Sequence, residues 1–345
     1  MGPPSPLVSI VIVNYNGRHF LADCLASVFA QAYPAFETIL VDNGSSDGSV
    51  PFIRAQFPAV RVLEAGRNLG FAGGNNLGVA SARGELIALL NTDTVVHPRW
   101  LHSLVEASRA DDVAIVSSLV LTKGIPDRYY ERNGSINFIC HNIMRVFEQP
   151  ENIFYGGGAS LLFKKQLLTI PFDDDYFAYG EDVYLGLRAR FMGYRILHTN
   201  ASVVSHEGGA TSKAHRATRV EFLQERNRLL NIFIFFSPWV IVRILPLIAA
   251  SSLAKLCVGI FSHRRSAWAV PHAFAWILAH PGVLRRKRQA LRREQHVSEG
   301  EVISWMTAKL TNGESRFGRI VNACAVLYCR LVGLRTIESL PPGTR

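Results

Sequence analysis

No CxxC pair, internal repeat, basic leader or uninterrupted apolar run of spanning length occurs in these 345 residues. Each absence excludes something. The five cysteines (Cys24, Cys140, Cys257, Cys324 and Cys329) are scattered and odd in number. Neither a disulfide framework nor a zinc site is expected, and reduced thiols in a cytosolic setting are the simpler reading. The opening MGPPSPLVSIVIVNYNG has no basic n-region and its apolar run breaks at Asn14, so a first strand is expected there, not a signal peptide. Acidic residues are scarce late in the chain: residues 213–345 hold 7 Asp and Glu against 21 Lys and Arg, whereas residues 1–212 hold 20 against 16. The net charge of +10 therefore belongs to the C-terminal region, and a polyanionic partner is to be sought there. No nucleic-acid-binding motif accompanies that charge, so nucleic acid is not an expected partner.

What is present begins with alternation. Leu7–Val13 is rich in Val and Ile and runs into Asn-Tyr-Asn-Gly, a strand followed by a turn. His19 to Ala30 places Phe20, Leu21, Leu25, Val28 and Phe29 on one helical face. "FETILVDNGSSDGS" repeats the theme with a strand ending at Asp42. "VRVLEAG" is a third strand, "NNLGVASA" opens another helix, and "LIALLNTD" is a fourth strand. Strands alternating with helices of about ten residues imply βαβ units and a parallel sheet. Such sheets bind ligands at the carboxyl ends of their strands, where Asn14, Asp42 and Asp93 all fall. Residues 100–155 lose this pattern and read as loops with an irregular hairpin.

Two acidic positions carry chemistry. Asp93 ends a buried strand, where it can cap a following helix or face a cation. Glu181-Asp182 follows an aromatic, glycine-containing turn and opens VYLGLRARFMG, which sets Val183, Leu187 and Phe191 on one face. The pair reads either as a capping box or as carboxylates kept ionised by the helix dipole and able to act as a base. NLGFAGGNN lacks the spacing of a dinucleotide-binding glycine motif, and no acid follows at the required distance, which disfavours an NAD-dependent oxidoreductase.

VSIVIVNYNG, LVDNGSSDGS, NLGFAGGNNLG, LLNTDT, GGGASLLFKK and FAYGEDVYLGLRARFMGYRI, with the later His206, occur in one order over residues 7–210. In this the chain resembles the family 2 glycosyltransferases of the GT-A fold, and in particular the rhamnosyltransferase-like branch of bacterial polysaccharide and cell-wall synthesis. The resemblance implies an α/β GT-A nucleotide-diphospho-sugar transferase domain with a mostly parallel sheet over residues 1–212. Residues 213–345 would form a helical, basic, membrane-associating extension. Asn14, Tyr15, Asn16, Asp42, Asn68, Phe71, Gly73 and Gly74 would line the nucleotide pocket, the Phe71–Gly74 stretch as a turn. Asn91-Thr92-Asp93 stands where the family has DxD, with Asn91 replacing the first acid. Asp93, joined by His206, would hold Mg²⁺ or Mn²⁺ at the donor diphosphate. Asp182 would be the general base, with Glu181 its close competitor, in an inverting transfer from a nucleotide-sugar, with dTDP-L-rhamnose the branch's donor. The acceptor would be a hydroxyl of a glycan or lipid-linked saccharide. A non-catalytic nucleotide-binding regulator on the same fold is the alternative, which the intact acids disfavour.

The C-terminal region adds a location. "LLNIFIFFSPWVIV" ends at Arg243, and "ILPLIAASSLA" ends at Lys255. With Pro238 and Pro246 within the run, no helix of the about 20 apolar residues needed to span a bilayer is expected. Arg264-Arg265, Arg285–Arg288 and Arg292-Arg293, with Trp239, Trp268 and Trp276, instead suit an anionic membrane surface. The expectation is a monotopic protein on the cytoplasmic face, held by residues 229–293.

Overall fold

The computed structural model describes residues 5–123, 134–143, 151–207, 217–261, 265–313 and 315–340. The expected domain boundary at 212, Arg264, and much of the patternless 125–155 stretch lie outside them. The chain folds as two compact units. The first comprises residues 1–132, 146–185 and 195–211; the second comprises 133–145, 186–194 and 212–345.

In the first unit, β1 (Val8–Asn14), β2 (Phe36–Asp42), β3 (Arg61–Glu64) and β4 (Leu86–Asn91) alternate with α1 (Arg18–Phe29), α2 (Ser49–Gln56) and α3 (Gly70–Ser81). They pair in parallel in the order β3-β2-β1-β4. The Val, Ile and Leu runs of β1, β2 and β4 are buried on both faces, which is why they do not alternate with polar residues, whereas β3 lies at the edge and is only partly buried. β5 (Thr94–Val96), α4 (Trp100–Ala107), β6 (Val113–Thr122), β10 (Ser160–Lys164) and β11 (Arg195–His206) complete the unit's main frame. β10 enters antiparallel between β4 and β6, and β11 runs parallel to β6 and antiparallel to β5. The two-residue β9 (Glu151–Asn152) pairs with β11, giving nine strands among the described residues. A buried serine network ties this half together: Ser118 Oγ lies 2.8 Å from Ser160 Oγ and 3.0 Å from Ser202 Oγ, and Trp100 Nε1 donates to Ser160 Oγ at 2.8 Å.

The chain passes to the second unit within α5 (Glu181–Phe191). That unit holds a two-strand hairpin, β7 (Ser135–Ile136) and β8 (Asn142–Ile143), and six helices among the described residues. These are α6 (Ala217–Phe235), α7 (Pro238–Phe261), α8 (Ala269–Ala279), α9 (Pro281–Glu294), α10 (Glu299–Ile303) and α11 (Arg316–Leu331). A buried ionic cluster pins α6 to α7: Glu225 binds Arg228 at 2.5 Å and Lys255 at 2.7 Å, while Arg228 also donates to Ile139 O at 3.1 Å. Arg188 grips Glu294 through two bonds of 2.6 and 2.8 Å.

Arg243 and Pro246 do not end the apolar helix: α7 runs for 24 residues with Pro246 inside it, and its length and composition suffice to cross a membrane. At 1.5 Å per residue it measures about 36 Å. Val240, Ile244, Ile248 and Ser252 recur every fourth residue and bury one stripe of it. That packing holds the helix together past the hydrogen bond which the proline cannot make.

Candidate active site

The carboxyl edge of the parallel strands gathers the candidate residues. The register sets Asn14 beside Asp42 and Val13 beside Asn91. Asn14 is wholly buried, and its Nδ2 donates to Asp42 Oδ1 at 3.2 Å and to Ser45 Oγ at 3.0 Å. Asp42 Oδ2 accepts from Ser45 N at 2.9 Å. Asn16 takes the left-handed region at φ 52° that asparagine tolerates, and its Oδ1 accepts from Ser46 N at 2.8 Å. Tyr15, between them, is 38% exposed. The two turns thus brace one another, and Tyr15 and Asn16 are the exposed candidates of this group while Asn14 and Asp42 are buried. Ser45 and Ser46 belong to the NGSSDGS turn, whose serine content was the available sign of this bracing.

The Phe71–Gly74 stretch is the first turn of α3, not a loop. Asn68 Oδ1 accepts from Gly70 N at 2.8 Å just before the helix. Gly74 lies against β1, where a Cβ would stand 2.8 Å from Val13 Cγ1, so this glycine serves the close approach of helix to strand. A Cβ on Gly73 would stand 3.0 Å from Leu69 Cβ and 3.8 Å from Asp174 Oδ1. Phe71 packs edge-on against Phe172 at 5.6 Å and covers Gly158.

The segment before α5 docks on this helix. Phe177 O accepts from Ala72 N at 3.1 Å, and Asn76 Nδ2 donates to Phe172 O at 2.8 Å and to Asp174 Oδ1 at 2.7 Å. Phe177 and Tyr179 take positive φ of 61° and 71°, and Gly180 follows at 81°. Strained backbone of this kind persists only where its surroundings hold it, and it clusters at working sites. The strained turn delivers Glu181 and Asp182. Glu181 is 8% exposed and its Oε2 is buried with no hydrogen-bond partner among the described residues. Asp182 is half-buried and its Oδ1 accepts from Val183 N at 2.8 Å. Burial pushes both carboxyls up, Glu181 further because Asp182's charge adds to it; backbone amides of Val183, Asp182 and Gly158 restrain the rise at Asp182. Burial therefore outweighs the helix dipole expected to keep the pair ionised. Tyr155, buried nearby, has its phenol raised by burial and by the Asp182 charge; nothing in the sequence marked it.

Asp93 sits between β4 and β5, with a strand and not a helix after it, so the helix-cap alternative fails. Asp93 O accepts from Glu207 N at 3.0 Å, and the β11–β5 ladder sets His206 against Thr94. His206 Nε2 consequently lies 3.2 Å from Asp93 Oδ1. Both line a cavity of about 470 Å³ together with Asp23, Thr92, Lys123 and Glu207. Among the described residues no cluster of three or more His, Cys, Asp or Glu could hold a metal. A carboxylate and an imidazole facing one another fit a divalent cation that fills its shell with water and ligand phosphate oxygens, since Mg²⁺-type sites commonly use one or two carboxylates plus phosphate. Asn91 ends β4 and its N donates to Ala159 O at 3.0 Å, which joins the glycine segment before β10 to this edge.

Residues 9–169 match the family model described as glycosyl transferase family 2. It is 33% identical over 115 residues to "Glycosyltransferase GlyG" of Streptococcus pneumoniae, covering 32% of this chain and 38% of GlyG. It is 27% identical over 236 residues to "O-antigen biosynthesis protein RfbC" of Myxococcus xanthus, covering 63% of this chain and 18% of RfbC. The match thus spans well under two-thirds of either relative's length. The structure resembles that of a mannosyltransferase, PcManGT of Pyrobaculum calidifontis, solved with GDP-Man and Mn²⁺. The TM-score is 0.52 at 18% identity, over 95% of this chain and 87% of that one. That likeness establishes a shared GT-A-type α/β fold.

Proposed function

We propose that the protein is an inverting glycosyltransferase that moves a sugar from a nucleotide-diphosphate donor to a hydroxyl of a glycan or lipid-linked saccharide. Asp93 facing His206 at the carboxyl edge carries this reading. The two would hold Mg²⁺ or Mn²⁺, which when bound offsets the charge growing on the departing diphosphate. Asn14, Asn16 and Asp42 shape the nucleotide end of that edge, with Tyr15 free to lie against a base. Asp182 takes the acceptor proton as its oxygen attacks the anomeric carbon from the face opposite the nucleotide. Its partial access to solvent, against the enclosure of Glu181, supports that choice. So does its raised pKa, because a general base works best near the ambient pH. Glu181 keeps a proton, so the pair carries a single negative charge. O-antigen biosynthesis in the name of one relative supports a role in polysaccharide synthesis; L-rhamnose as the sugar rests on the resemblance to that branch alone.

The same reading includes attachment to an anionic membrane surface through residues 229–293. Trp239, Leu253 and Phe261 on α7 are 64%, 60% and 82% exposed, and α9 carries Arg285, Arg286, Lys287 and Arg288. Attachment along the surface is favoured over crossing because Lys255, within the apolar helix α7, binds the buried Glu225. A crossing α7 would carry that ionic cluster into hydrocarbon, at a cost of several kcal/mol. Arg265 of the expected flanking cluster opens a short helical turn; its neighbour Arg264 is among the residues not described.

A thermal-shift screen of nucleotide-sugars with and without Mn²⁺ tests the donor site: stabilisation should need both, and no response to any nucleotide diphosphate would count against the enzyme. Asp182→Asn should lower turnover by about 10²–10⁴-fold with donor binding retained. Wild-type turnover in that variant would refute the base assignment.

A further inference from the structure

Helix α11 is covered on one face and bare on another. Gly318, Ala325 and Cys329 are buried, and Tyr328 Oη donates to Arg243 O of α7 at 2.8 Å. Away from that contact, Phe317, Ile320, Leu327 and Leu331 are 76%, 54%, 58% and 77% exposed. With exposed Cys324 they recur at alternating steps of three and four, which on a helix is one straight stripe. Four large hydrophobes aligned on one short helix differ from the single apolar residues that any folded surface carries. Beside the stripe stand the exposed Arg316, Arg319 and Arg330, and the helix contains no acidic residue.

We infer that α11 is an interfacial helix that lays the Phe317–Leu331 stripe into an anionic lipid bilayer. The charge selects this occupant. A second copy pairing stripe to stripe antiparallel would bring its own arginine row against this one, because a two-fold axis across the helices sets like flanks together. Lipid phosphates complement the arginines instead, while acyl chains receive the four apolar side chains. The arginine stems reach up to the headgroups from the helix flank. This contact extends the membrane attachment proposed above without resting on residues 229–293, and it requires no particular reaction.

The test uses the full chain carrying Cys257→Ser, with an environment-sensitive maleimide dye on Cys324. Cys24, Cys140 and Cys329 are buried, so the dye reports the stripe. Phosphatidylglycerol vesicles should shift its emission to the blue, high salt should reverse the shift, and phosphatidylcholine vesicles should leave it unchanged. Phe317→Ser with Leu327→Ser should weaken vesicle binding tenfold or more. Glutamine at Arg316, Arg319 and Arg330 should weaken it about a hundredfold, at about 1 kcal/mol per arginine. Vesicle binding with a water-like dye signal and no effect of the apolar variants would refute the contact, leaving attachment through 229–293 intact. No binding to any vesicle would overturn both. A blue shift that grows with protein concentration without vesicles, alongside a dimer in sedimentation, would give the stripe to a second copy and overturn the lipid assignment.

Discussion

Replacing Glu181 with glutamine separates the carboxyl that carries a proton from the one that accepts it. Glu181 is enclosed, its Oε2 has no partner among the described residues, and the neighbouring Asp182 charge disfavours its ionisation further. Glutamine reproduces the size and neutrality of the protonated side chain. A carboxyl raised in the folded state binds more protons folded than unfolded once the pH passes the ordinary glutamate value of about 4.3. The stability tied to it is therefore full below that value and is lost as pH rises toward the folded pKa. One proton fixes the slope at about 1.4 kcal/mol per pH unit inside that window. Urea unfolding of the wild type and Glu181→Gln at half-unit steps from about pH 4.5 to 7.5 measures it. Subtracting one curve from the other cancels every titrating group except those coupled to the site. The difference should move in favour of the glutamine protein by up to that slope, and turnover at neutral pH should stay within about tenfold of wild type. A flat difference would refute the burial argument. A turnover loss equal to that of Asp182→Asn would make Glu181 the base.

Wild-type turnover should fall in acid with a midpoint above the ordinary carboxylate range, because Asp182 is raised and must be ionised to accept a proton; a midpoint near pH 4 in the kcat profile would contradict this. Asp93→Asn and His206→Ala should each raise the Mn²⁺ concentration needed for donor-dependent thermal stabilisation, by about tenfold or more, and an unchanged metal titration in both would remove them as ligands. Gly70→Ala should impair folding and turnover together, since Gly70 sits at φ 73° and a Cβ there would stand 2.3 Å from Phe177 O, in the segment that delivers Asp182. Glu225→Ala should cost about 3–5 kcal/mol in chemical unfolding by stranding buried Arg228. Burial opposes ionisation of Glu225, but Arg228 and Lys255 hold its pKa down at about 2. Its contribution is therefore complete above the ordinary carboxylate range and fades as pH drops toward that value.

The parts of this architecture that were legible in the sequence are those governed by local rules. Strand ends at Asn14 and Asp42 follow from apolar runs meeting turn-forming residues, and the fourth strand, read as reaching Asp93, stops two residues earlier at Asn91; the parallel register brings all three ends to one edge. The meeting of Asp93 with His206 has no such local cause. It depends on β11 turning antiparallel to β5 across more than a hundred residues, so only the family resemblance pointed to it. Phe71–Gly74 misled because glycines that permit close packing on Val13 look, in sequence, like glycines that permit a turn. Glu181 and Asp182 depart from what a helix start implies because enclosure, which raises both carboxyls, is a tertiary property invisible at that level.

Helix α7 shows the same limit from the other side. Arg243 and Pro246 are strong local punctuation, yet the helix continues through both. The Arg243 guanidinium lies 4.6 Å from the Trp239 ring centroid, so the charge need not leave the helix to find favourable surroundings. Four buried side chains at four-residue intervals hold the segment helical where the proline removes one bond. Packing of this kind is worth about 1.5–3 kcal/mol per buried large side chain, comparable to the about 3 kcal/mol that an interior proline costs. Local breakers decide a helix boundary only where tertiary burial is weaker than the bond they remove.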